Sequence, residues 1–420
     1  MNFSRSFLPV LSLLLLLAPR PARGADPAGP SPGPKLTLQA AIAEAIAQSP
    51  AAQIIAAEIE AARGEAQTVR VRPNAELSFT PGFKRTVEGG DAHHEFKGTL
   101  AFSRTFLFPG RQQLLVSIAD RNIALRELGI EGLRFQLTAA VRRSFSELLA
   151  AQGIVGVRQQ QLESARTFQQ AAAQRASAGY GSDFETVKSQ GEVINARRRL
   201  QDAEGRIALA RVELNSLLGR DPALALEVTG ELTVAPAKPL PDLIALAMDV
   251  NPSLRVQELQ AEIAGLNVRK ARMLRKPDFS VGPSLEYSKS EQVLGVGVSV
   301  ALPGKNYGQG EMATATAEQR KLAAEAEQLR REISAAVAKA ATQLDNARAQ
   351  LALYPSEYLD RLKSVAAQAE ASYGASATSL LIYLDAQRTY FDALADYQES
   401  LAAVASSRAD LESAVGTSLP

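Results

Sequence analysis

The C-terminal part of this sequence replays a stretch that lies 197 residues earlier, and the repeat limits the available folds more than any other feature. Residues 373–416 open with small residues and then hold an almost unbroken 3-4 spacing. Leu380, Tyr383, Gln387, Tyr390, Leu394, Tyr397, Leu401, Val404, Arg408, Leu411 and Val415 fall on one seam. Only Gln387 and Arg408 interrupt its apolar character, which is the pattern of a coiled-coil seam. In the earlier copy Gly179, Tyr180, Gly181 and Ser182 lead into a seam of Val193, Ala196, Leu200, Ala203, Ile207, Ala210, Leu214 and Leu217. Ser182 matches Ser379, Gln190 matches Gln387, Leu214 matches Leu411 and Gly219 matches Gly416. A chain built this way presents each of its surfaces twice.

Each copy reads helix, strand, strand, long helix, turn, helix. The first repeat is expected over 36–235 and the second over 236–420, after a Pro/Gly-rich lead-in at 25–35. Ser49-Pro50 and Asn251-Pro252 are matching helix starts, since Ser49 can cap and proline suits the first turn. Past Pro73 the apolar period changes from helical to two. Strands are expected at about 74–84 and 96–108 in the first repeat, and at about 278–288 and 293–302 in the second. Phe96, Leu100, Phe102, Phe106 and Phe108 share one face against Lys97, Thr99, Ser103 and Thr105, and residues 86–94 between the strands read as a polar loop. Leu294, Val296, Val298 and Val300 alternate with Gly295, Gly297 and Ser299 in the same way. A long helix follows each strand pair, at about 111–178 and about 308–372, the second with a break or kink at Pro355. The first would reach roughly 100 Å at about 1.5 Å per residue, far beyond a globular helix. Return helices are expected at 183–218 and 380–415.

Arg5, the apolar run from Phe7 to Ala18 and the small residues Ala22 and Gly24 read as a secretory signal at 1–24. Removing its three arginines leaves 43 basic against 45 acidic residues, which argues against a nucleic-acid partner. No cysteine is present, so disulfides, thiolate metal sites and cysteine nucleophiles are excluded. Past the signal no run approaches the 20 apolar residues of a spanning helix, so entry into a membrane would require a β-barrel. Four strands of about ten residues have the length and alternation of membrane strands, yet four cannot close a barrel and lipid tolerates no open edge. Several subunits must then pool their strands. The competing reading is a set of soluble sheets on a periplasmic coiled-coil scaffold that binds partners without forming a pore.

Taken together, Leu36-Thr37-Leu38, Ser49-Pro50, the Pro109-Gly110 and Pro303-Gly304 junctions and the two turn-and-helix stretches resemble the TolC-type outer membrane efflux proteins across essentially the whole mature chain. Leu384-Asp385-Ala386-Gln387-Arg388 is the most specific of these motifs. The resemblance implies a mainly α fold with a transmembrane β-barrel contribution, in which a homotrimer forms a 12-stranded barrel in the outer membrane lipid above a long α-helical tunnel crossing the periplasm of a Gram-negative envelope. It also implies two partners, a periplasmic adaptor (membrane fusion) protein and an inner-membrane pump of the resistance-nodulation-division type. Members commonly place acids at two entrance positions three apart. Here the later is Asp385 and the earlier is Ile382, so one acidic ring is expected and not two. The adaptor-contacting turns are expected at Gly179, Tyr180, Gly181 and Ser182, and at Ser376, Ala377, Thr378 and Ser379; Gly179 and Ser376 occupy the position of the family's turn glycine. Residues 298–310 with Leu353-Tyr354-Pro355 look most like the subunits of cobalt-zinc-cadmium type exporters, with drug export by the same duct as the alternative.

The remaining signals read as structure. His93 and His94, the only histidines, fall in the polar stretch between strands and read as solvated. Gly295 and Gly297 precede no helix and fail the dinucleotide fingerprint; close packing in a narrow barrel explains them. Tyr383, Tyr390 and Tyr397 at heptad spacing read as core. No nucleophile, base and oxyanion set and no phosphate loop can be assembled, so no enzyme, cofactor or metal site is expected.

Overall fold

The fold is that of a computed structural model, which describes residues 35–419 except 89–90, 180–181, 231–237, 290, 303, 305–306 and 376, with 86–88 and 91–93 described by backbone alone. The expected signal at 1–24 and nearly all of the lead-in lie outside the described residues. Helices α1 (Leu38–Gln48) and α2 (Pro50–Arg70) precede strands β1 (Glu76–Glu88) and β2 (Asp91–Phe106). Two long helices follow, α3 (Arg111–Ser177) and α4 (Asp183–Leu218). The second half holds α5 (Leu240–Val250), α6 (Pro252–Met273), β3 (Phe279–Ser288), β4 (Gln292–Val300), α7 (Gln309–Leu351), α8 (Ser356–Gly374) and α9 (Leu380–Val415).

Local chemistry sets these bounds. The Ser49 hydroxyl accepts from the Ala52 N–H, and the Asn251 side chain accepts from Ser253 and Leu254, so both proline-led helices are capped the same way. Gly219 and Gly416 end α4 and α9 with φ of 70° and 89°, a conformation only glycine adopts cheaply. One expectation is corrected. Residues 86–88 and 91–94 are not a loop: the strands run on to Glu88 and from Asp91, so His94 is a strand residue paired with Arg85. The second long segment breaks at Pro355, as expected, into α7 and α8. Leu353 and Tyr354 tighten into i→i+3 bonds, and Pro355 has no N–H to carry the ladder onward.

The helices form two rows that share α3 and α7. Next to the sheet the neighbours run α2, α3, α6, α7; farther away they run α4, α3, α9 and then α7 followed by α8. The cores repeat as the sequence does. Val141 and Leu148 of α3 with Leu214 and Leu218 of α4 pack against Ala41 and Ala45 of α1. Val337 and Leu344 of α7 with Leu411 and Val415 of α9 pack against Leu243 and Ala247 of α5. Arg408, which interrupts the apolar seam of α9, is explained by Glu412. That carboxylate is buried, pairs with Arg142 of α3 and with Arg408, and accepts from the Leu419 N–H. Among the described residues no helix is long and apolar enough to cross a membrane.

Candidate functional site

The sheet is one antiparallel ribbon in the order β1-β2-β3-β4, with β1 and β4 as open edges. Its register places like with like. Leu77 pairs with Phe102, Leu100 with Leu285, and Val281 with Val298, all on one face. Ser78 pairs with Ala101, Thr105 with Ser280, and Ser280 with Ser299, on the other. Phe79, Phe83, Leu294, Val296 and Val298 are between 61% and 80% exposed, so one subunit leaves this apolar face bare. Gly282 is required where β3 meets β2, because a Cβ there would overlap the Phe102 carbonyl. Along β2 the apolar face is bounded by His94 at one end and Arg104 at the other. Ten residue steps at about 3.3 Å, tilted by about 40°, give a band of about 25 Å, the height of the lipid-facing band of outer-membrane barrels. Aromatic rings mark both borders. Phe83 and Phe96 meet edge to face at 6.0 Å near the hairpin end, and Phe106 stacks on Phe279 at 5.4 Å near the helices.

At the far end of the long helices, two turns built alike stand side by side. Ser182 accepts from the Glu185 N–H to cap α4, and Ser379 accepts from the Ile382 N–H to cap α9. Gly179, with φ of 79°, closes α3, and the Ala377 N–H donates to the Ser372 carbonyl after α8. Ala377 is exposed and Thr378 half-buried; Tyr180, Gly181 and Ser376 lie outside the described residues. Ile382 and Asp385 are exposed on one face of α9, a helical turn apart, and among the described residues Asp385 has no ion-pair partner. Between the turns Phe168, Tyr373 and Tyr383 form a buried cluster, with the two tyrosine rings stacked at 5.4 Å. Burial pushes the Tyr383 phenol up to about 12. Tyr383 is therefore core, as is expected of the seam, while Tyr390 and Tyr397 are only half-buried and Phe391 is buried beside them.

Sequence reasoning passed over the arginines that tie the two repeats together. Arg175 of α3 lies over the Tyr373 ring at 5.0 Å and donates to the Tyr373 carbonyl. Asp392 of α9 takes Arg158 of α3 at 3.2 Å and Arg199 of α4 at 2.6 Å. Arg206 pairs with Glu399 at 2.9 Å and Glu192 approaches Arg388 at 3.8 Å, so three α4 positions seven residues apart face α9 across α3. These ties flank a polar groove of about 270 Å³ beneath the turns, lined by Ser164, Asn195 and Gln387 among others. At the opposite end Arg111 clamps strand to helix: it pairs with Asp278 and donates to the Met273 and Lys276 carbonyls at 2.6 Å. Among the described residues no group of His, Cys, Asp and Glu is placed to hold a metal.

An amphipathic membrane-height sheet set on a row of long helices is a channel wall. The sequence matches the outer membrane efflux protein family over residues 41–220 and 243–417. The chain belongs to that family. It is therefore an outer membrane channel protein of the TolC type, and its family is one of transport proteins. It is 26% identical over 403 residues to the cobalt-zinc-cadmium resistance protein CzcC of Cupriavidus metallidurans, covering 94% of this chain and 95% of the relative. Solved structures share the fold. CusC superposes with a TM-score of 0.73 at 18% identity, covering 90% of this chain and 92% of that one. The open state of the Neisseria gonorrhoeae MtrE channel gives 0.72 at 17% identity, with 91% and 89% covered.

Proposed function

We propose that three copies of the chain pool their sheets into a 12-stranded barrel in the outer membrane and their helices into a tunnel below it. This duct is the outer component of a tripartite exporter, with a periplasmic adaptor seated on the turns 179–182 and 376–379 and an inner-membrane pump of the resistance-nodulation-division type. The observation that carries the duct is the sheet: a bare apolar face of membrane height with an unpaired strand at each edge. Asp385 supplies one carboxylate per subunit at the entrance, and Ile382 an apolar collar one turn earlier. Such a ring attracts cations and resists anions. The cargo is heavy-metal cations, a reading supported by the likeness to CzcC over nearly the full length of both chains.

The cargo is tested in the native host by deleting the chain's coding sequence. Resistance to cobalt, zinc or cadmium should fall and return with the restored chain, while tolerance of hydrophobic dyes stays unchanged. Unchanged metal resistance together with lost dye tolerance would make the duct a drug channel.

A further inference from the structure

We propose that the helix-proximal border of the sheet is a binding belt for the phosphate groups of anionic phospholipids. The inference rests on reading the sheet as a lipid-facing barrel wall. Arg104 interrupts the apolar face of β2 just below Phe102, where the apolar band ends. Its guanidinium lies 6.0 Å from the Phe106 ring centre, turned toward the helices and away from the band. Beyond the Phe106–Phe279 stack, the Lys276 ammonium lies 4.7 Å from the centre of Phe108, and the Arg275 guanidinium 4.9 Å from that of Tyr307. Three of the four cation–aromatic contacts among the described residues thus gather at this one border.

The junction divides its cations into two kinds. Arg111 is turned inward and spent on Asp278 and two carbonyls. Arg104, Arg275 and Lys276 are exposed, and among the described residues none has a carboxylate within ion-pair distance. The hairpin border also carries exposed cations, Lys84 and Arg85, but among the described residues neither lies against an aromatic ring. A cation laid along an aromatic ring at the edge of a hydrocarbon band has its stem in the apolar layer and its charge at the headgroup level. Because the helices leave the sheet at this border, the headgroups in reach belong to the periplasmic leaflet. Their phosphates carry the charge that three unpaired cations per subunit lack.

The test reconstitutes the full chain into vesicles of phosphatidylcholine with a minor share of phosphatidylglycerol, extracts it in mild detergent and analyses the lipid that stays bound. Phosphatidylglycerol should be enriched over its share by at least about fivefold, the worth of one cation at a lipid surface. The triple substitution Arg104→Gln, Arg275→Gln, Lys276→Gln should abolish the enrichment, and Lys84→Gln with Arg85→Gln at the other border should keep it. Insertion of the wild-type chain without enrichment overturns the belt and leaves the barrel standing; failure of the wild-type chain to insert in any vesicle overturns both. Inorganic phosphate added during extraction should not displace the lipid, and displacement would make this a free-anion site instead.

Discussion

Asp385 and Glu147 show how differently two carboxylates behave on the same set of helices. Asp385 is exposed near the start of α9 and, among the described residues, has no ion-pair partner, so its charge is available to whatever passes. In a trimer, Asp385→Asn should reduce cation preference in planar-bilayer recordings, and Ile382→Asp should strengthen block by divalent cations by adding a second ring. Unchanged selectivity in Asp385→Asn would place the entrance elsewhere. Glu147 of α3 is raised above its ordinary 4.5, first by burial and then by the Glu213 carboxylate of α4, against a smaller opposing pull from Arg143. The unfolded chain gives up this proton at lower pH than the folded one, so the ionised group costs stability at neutrality. Glu147→Gln should therefore raise the thermal midpoint at pH 7. The gain should vanish as pH falls below about 4.5, where the carboxyl is neutral in both states. A midpoint difference independent of pH would contradict the assignment.

Among the elements, the sheet makes the sharpest demand. Phe102→Arg or Val298→Arg on the apolar face should cost about 2–4 kcal/mol near the midplane, whereas Ser299→Arg on the polar face should assemble normally in a membrane-insertion assay. Equal tolerance on both faces would remove the barrel. At the turns, Ser379→Arg should abolish cross-linking to the adaptor while the trimer still forms, since the change alters an exposed cap and not a packed helix. The strand faces were legible in the sequence because a sheet wetted on one side alone must alternate. The strand ends 86–88 and 91–94 were not legible. They continue the strands past the apolar band, and the Gly-Gly and charges of the sequence there imitate a loop. The helical seam was legible at Tyr383, Val404 and Leu411, yet it omitted Phe391, because α9 packs against α3 on one side and α7 and α8 on the other and buries more than one stripe. The arginine ties had no signature at all. A side chain that finds its partner 193 residues away, as Arg199 finds Asp392, looks in sequence like any solvated helix face.

At the scale of the whole molecule, one subunit is an open strip with unequal ends. β1 and β4 bound the sheet, and below it α4 and α8 bound the outer row of helices, with Phe184, Val187 and Ile194 exposed on α4 and Tyr358 and Val365 on α8. Contacts between unlike edges are heterologous, so they close into a ring or grow without limit. The chain has no cysteine, which permits a clean test of closure. Ser78→Cys on β1 can be combined in turn with a cysteine at Val293, Gly295, Gly297 or Ser299 on β4, all of which share the polar face. Within one subunit these strands stand three spacings apart, about 14 Å, while a disulfide spans Cα atoms less than about 7 Å apart. Any bond formed on oxidation is therefore between subunits. One of the four pairs should yield a covalent species of three chains that resists heating in detergent, with no larger products, because a closed ring leaves no free edge. A ladder of growing oligomers would mean an open filament, and monomers in all four variants would mean that the strand edges do not meet.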